Sequence, residues 1–150
     1  MRRSLILLAA LVALFMSALP VGAVTSADTT IDVHSSFTDA GGTFSADSAL
    51  LCDSGTTSDV TNIAGNGRAI TFHNLKTFTC TDGSGTFTLR LQAQVKPCEA
   101  NTRGVWSVAG GTGAYEGLIG TGTLIGTYFP GDACSADGID DHLTGVLRLP

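Results

Sequence analysis

From residue 31 onward the chain alternates apolar and polar residues in short runs that end at glycine, aspartate or proline, the signature of half-buried β-strands. Ile31, Val33, Ser35 and Phe37 share one face of a first strand, and Phe44, Ala46, Ser48 and Leu50 one face of a second, with Ala40-Gly41-Gly42 turning between them. A third strand is expected over residues 58–64, followed by a tight hairpin at Gly65-Asn66-Gly67. The fourth covers residues 68–79. In it Ile70 and Phe72 keep one parity while Leu75 falls on the other, which predicts a bulge near residues 73–75. Asp82-Gly83-Ser84-Gly85 is a turn signal, after which Phe87, Leu89, Leu91, Ala93 and Val95 alternate without error against polar neighbours until Pro97. Further strands are expected over residues 103–109, 119–128 and 142–149. No segment after residue 23 keeps the i, i+3, i+4 pattern of an amphipathic helix for ten residues or more.

Eight antiparallel strands with short connections suit a closed barrel or a two-sheet sandwich. An even count favours closure, because the first and last strands of an up-and-down meander can then pair and leave no exposed edge. The fold class is therefore all-β, an eight-stranded antiparallel up-and-down barrel forming a single domain over residues 24–150.

Residues 1–23 differ from the rest. Arg2 and Arg3 precede an apolar run that is too short for a permanent membrane span, and Val21-Gly22-Ala23 resembles a small-residue cleavage site, so this stretch reads as a secretory signal peptide. The chain contains 8 Lys and Arg against 13 Asp and Glu, a net charge of −5. Loss of Arg2 and Arg3 with the leader takes it to −7. Such a balance disfavours phosphate backbones and anionic lipid, so neither nucleic acid nor, after cleavage, a membrane is expected as partner. The mature protein is expected to be secreted. Its oligomeric state is not legible.

An exported chain with four cysteines is expected to hold two disulfides. In a meander, Cys52 after strand two and Cys80 after strand four fall at one end of the barrel, and Cys98 and Cys134 at the other. Because bridged Cα atoms lie within about 7 Å, the expected pairs are Cys52–Cys80 and Cys98–Cys134. No C-x-x-C spacing or Cys/His cluster suggests a redox or metal site, and no cofactor or metal is expected.

The most distinctive segment is Gly110-Gly111-Thr112-Gly113-Ala114-Tyr115-Glu116-Gly117. It lacks the spacing and the following helix of a dinucleotide fingerprint, and it has no Walker Gly-Lys-Ser/Thr. Gly110, Gly111, Gly113 and Gly117 read instead as a structural motif that turns a sharp corner out of strand six. Gly120, Gly122 and Gly126 then share parity with Leu124 and Tyr128. If that face points inward, it leaves room for large neighbours such as Trp106 and Phe87, or for a ligand. Gly-Gly-Thr-Gly, an aromatic, then a glycine entering a Gly/Thr-rich strand resembles the allene oxide cyclase and dirigent-like barrel superfamily, particularly its small exported bacterial members. The specific match covers residues 104–128. The resemblance implies an eight-stranded antiparallel barrel around an apolar cavity. In the plant relatives it goes with cyclisation of a fatty-acid epoxide or steering of phenolic radical coupling. Only the glycine motif carries over, onto residues 110–117.

His34, His73 and His142 fall in three strands without metal-ligand spacing and read as ordinary strand residues. Asp132, Asp137, Asp140 and Asp141 read as a solvated acidic loop, since their spacing is not that of an EF-hand. The leading functional reading is a non-catalytic binding or structural module, with a small apolar molecule in the barrel and Trp106, Tyr115 and Glu116 as ligand-binding candidates. The alternative is an allene oxide cyclase-like or dirigent-like isomerase or cyclase using the same cavity. An interior filled by Phe87, Leu89, Leu91 and Trp106 would exclude both the ligand and the enzyme, whereas an open cavity with buried Glu116 or a histidine would favour the enzyme.

Overall fold

A computed structural model describes residues 24–39, 41–66 and 68–150; the expected signal peptide, residues 1–23, lies outside the described residues. Eight strands follow one another as β1 (Thr25–Ser36), β2 (Gly41–Asp47), β3 (Ser54–Gly65), β4 (Ile70–Cys80), β5 (Gly85–Val95), β6 (Asn101–Gly113), β7 (Ile119–Phe129) and β8 (Gly138–Leu149). Each pairs antiparallel with its neighbours in sequence, and β1 closes on β8 from Thr25↔Leu149 to Ser36↔Gly138. The meander is thus a closed barrel. Both expected disulfides are present, Cys52–Cys80 and Cys98–Cys134, with Cα separations of 6.0 and 4.8 Å.

Alternation dictates what each strand puts inside. In β5, Phe87, Leu89, Leu91, Ala93 and Val95 are buried, while Arg90, Gln92 and Gln94 face out. In this strand the arrangement is apolar within and polar without, the reverse of an outer-membrane barrel strand.

Several strand limits differ from the sequence reading. β1 stops at Ser36, so Phe37 sits in the β1–β2 turn and is 57% exposed. β2 ends at Asp47, short of Ser48 and Leu50, and β3 begins at Ser54. The bulge expected near His73 is absent, because β4 runs in unbroken register against both β3 and β5. The register shifts instead between β5 and β6: Thr88 opposes Gly110 and Leu89 opposes Val108, which leaves Ala109 as the extra residue.

The glycine motif turns later than expected. β6 continues to Gly113, and the corner is made by residues 114–117 between Gly113 (φ +62°) and Gly117 (φ +81°), where side chains rarely fit. At Gly122 the reason for glycine is space: a Cβ there would stand 2.5 Å from Cε2 of Trp106. The face carrying Gly120, Gly122 and Gly126 does point inward, and Gly122 makes room for the tryptophan.

The core fills only one end. Phe78 and Phe87 stack at 4.6 Å, Phe44 meets both edge-on, and Tyr115 meets Phe87 at 5.4 Å. Below them the Tyr115 hydroxyl accepts the Cys52 N–H at 3.0 Å and bonds Ser84 Oγ at 2.7 Å, sealing that end beside the Cys52–Cys80 bridge. The other end is open.

Candidate ligand cavity

A cavity of about 770 Å³ occupies the open end. Its apolar wall comes from the last inward positions of the rising strands and the first of the returning ones, notably Ile70 and Phe72 of β4, Leu91, Ala93 and Val95 of β5, Leu124 and Tyr128 of β7, and Ile139 of β8. The rim is braced. Cys98–Cys134 ties the β5–β6 connection to the β7–β8 loop, where the Ala133 N–H donates to the Glu99 carbonyl at 3.0 Å and Ala133 itself lines the cavity. The Phe37 N–H donates to the Asp137 carbonyl of the same loop at 2.7 Å, and its ring leans edge-on toward Tyr128, ring centroids 6.4 Å apart.

One stretch of wall is incomplete. β2 pairs with β3 only from Gly42↔Thr57 to Ser45↔Ser54, so among the described residues the β3 segment 58–65 has β4 on one side and no strand on the other. Ser58, Asp59, Thr61 and Ile63 line the cavity along this edge, facing Ser36, Phe37, Asp39 and Gly41 across the gap.

The floor is polar. Even-numbered residues of β4 point inward, so that between Phe72 and Phe78 the interior receives Asn74 and Lys76. Lys76 is 2% exposed. Its Nζ donates to Asp59 Oδ2 of β3 at 2.9 Å and to Ser35 Oγ of β1 at 3.3 Å, and stands 3.8 Å from Asp141 Oδ2 of β8. Burying an ammonium is tolerable only with such partners. Asp59 keeps a quarter of its side chain exposed, whereas Asp141 is 9% exposed. Burial pushes the Asp141 carboxyl up to about 6, Lys76 offsetting part of that shift while Asp59 and Asp140 add to it. Burial, and then the Asp141 charge, likewise raises the Tyr128 phenol. Gly126 belongs to the same construction. A Cβ there would come within 2.6 Å of Asp141 Oδ1, Thr102 Cγ2 and Ile139 Cδ1, so glycine leaves the space in which the carboxylate sits.

None of the ligand-binding candidates read from the sequence lines this cavity. Trp106 is buried beside it, its Nε1–H shared between the carbonyls of Thr123 and Thr144 at 3.1 and 3.2 Å. Tyr115 lies in the sealed end, and Glu116 is exposed there. Asp140 and Asp141, expected in a solvated loop, belong to β8, and Asp141 is buried. The histidines stay outside. His34 and His142 come together on the outer face of the β1–β8 ladder, each with its Nδ1 against a carboxylate, Asp140 at 2.7 Å and Asp32 at 2.6 Å. The residues that the sequence reading missed are Asp59, Asn74, Lys76 and Asp141. Their signal was polar side chains in phase with apolar ones: Lys76 with Phe72 and Phe78, Asp141 with Ile139 and Leu143.

Together these features define a small disulfide-braced β-barrel, sealed at one end and holding at the other an apolar cavity with a charged floor. Comparison with protein-family models, with curated proteins and with solved structures returned no match.

Proposed function

We propose that this is an exported binding module that takes a small, largely apolar molecule into the open end of the barrel. The observation that carries the reading is the 770 Å³ cavity itself, within the usual size range for a small-molecule site and walled mainly by apolar side chains with a few converging polar groups. Export is supported by the two disulfides, which persist in oxidising compartments. The test uses the neutral apolar dye N-phenyl-1-naphthylamine. The wild type is expected to bind it with enhanced, blue-shifted emission. Ala93→Phe, which puts a ring into the cavity, is expected to lose that binding while keeping its melting temperature. A wild type that leaves the dye dark would overturn the proposal. Where the dye binds, native mass spectrometry of protein from its own producer is expected to name the resident molecule.

A second reading, an isomerase or cyclase of the allene oxide cyclase-like or dirigent-like kind, draws support from Asp141. A carboxyl that titrates at about 6 inside an apolar cavity can hold or release a proton near neutrality. Turnover of any cavity ligand that Asp141→Asn abolishes without weakening its binding would decide for the enzyme.

A further inference from the structure

Charged groups line the cavity unequally. Lys76 is the one cation among the lining residues, against the carboxylates of Asp39, Asp59 and Asp141. The ammonium is also committed: two of its three N–H donors go to Asp59 and Ser35, and Asp141 at 3.8 Å lies beyond hydrogen-bond reach. Asp141 is therefore nine-tenths buried, lines the cavity and, among the described residues, accepts no hydrogen bond. An ionised carboxylate in that position has no hydrogen-bond donor among the described residues and shares its one countercharge, Lys76, with Asp59.

We infer that the polar end of the cavity is built to receive a positively charged hydrogen-bond donor against Asp141, so that the ligand class is a small lipophilic amine rather than a carboxylic acid. The inference rests on reading the cavity as a binding site and specifies what it takes. An ammonium would supply donors to Asp141 and bring the floor, one positive and two negative charges, to neutrality. An anionic head would find at most one uncommitted N–H on Lys76 and would meet three carboxylates. A neutral alcohol would satisfy Asp141 in part. Both heads can donate to Asp141, but only the ammonium adds a countercharge, and that difference is expected to give about a tenfold gain in affinity.

The experiment compares n-octylammonium, n-octanol and n-octanoate by isothermal titration at pH 8 and pH 5, with the wild type and Asp141→Asn. At pH 8 octylammonium is expected to bind at least about tenfold more tightly than octanol, with octanoate weakest. Asp141→Asn is expected to remove the preference for the amine, octanol changing far less than octylammonium because its hydroxyl can still donate to the amide oxygen. Lowering the pH to 5 does the same in the wild type, because Asp141, faced by Lys76 from β4, Asp59 from β3, Tyr128 from β7 and Asp140 beside it on β8, takes up a proton as pH falls through about 6. This arm stands even if the variant does not fold. Octanoate binding as tightly as octylammonium, or an amine preference indifferent to both pH and Asp141→Asn, would overturn the inference while leaving the cavity a binding site. Failure of all three ligands to bind would overturn the binding reading and the inference with it.

Discussion

Asp141 and Lys76 hold opposite positions in the same balance. Asp141 titrates at about 6 in the folded protein against 3.8 in the unfolded chain, so the native state holds its proton more tightly. At about pH 3 both states are protonated and the group contributes nothing. As pH rises through about 6 the native state loses stability, and above that the loss levels off at about 3 kcal/mol. Asp141→Asn is therefore expected to exceed the wild type in urea titrations by up to about 3 kcal/mol at pH 8 and to match it at pH 3; equal stability at both would mean that Lys76 compensates the charge in full. Lys76→Met acts in the other direction. It leaves Asp59 and Asp141 without their cation, and an expected cost of about 3–5 kcal/mol at pH 8 should shrink at pH 4, where the carboxyls can take protons. Neither residue was legible as a site from the sequence. Lys76 lies just beyond the expected bulge, and Asp141 read as part of a solvated acidic loop; the partners that make them a cluster sit on β1, β3, β4 and β8 and meet only when the barrel closes.

Among the elements, β5 was readable residue by residue, since its inward positions are uniformly apolar and its outward ones polar. β4 was not. Its inward row runs Ile70, Phe72, Asn74, Lys76, Phe78, and the two polar members pushed the apparent apolar phase onto Leu75, which in fact faces out. The bulge inferred from that phase change stood in for a polar interior. Glycine positions divide in a similar way. At Gly122 an added Cβ would press on the Trp106 ring, whereas at Gly110 nothing lies within 4 Å. Gly122→Ala is expected to cost about 1–3 kcal/mol in chemical denaturation through overpacking. Gly110→Ala should be near neutral; equal costs would show that contact with a neighbour is not what sets the need for glycine at Gly122.

For the molecule as a whole, the two disulfides brace opposite ends and should not be equivalent. They join residues 28 and 36 apart, and chain entropy alone assigns each about 3.5–4 kcal/mol. Cys52 and Cys80 are also buried in the core against Tyr115, whereas Cys98 and Cys134 are exposed. Replacing the first pair by serine is expected to lower the melting temperature further than replacing the second, because buried hydroxyls then take the place of packed sulfur. Replacing the second pair is expected to loosen the rim and speed dissociation of the apolar dye. The barrel's shape also separates two rates that are tied together in a fully enclosed protein. β2 has 7 residues where its neighbours β1 and β3 have 12 each. A container with one short stave stands open along that stave: the cavity meets solvent beside residues 58–65, away from the stacked rings of Phe78 and Phe87. Exchange of a guest would then bypass the sealed end, and mutations that raise the melting temperature through that end would leave the guest's residence time unchanged.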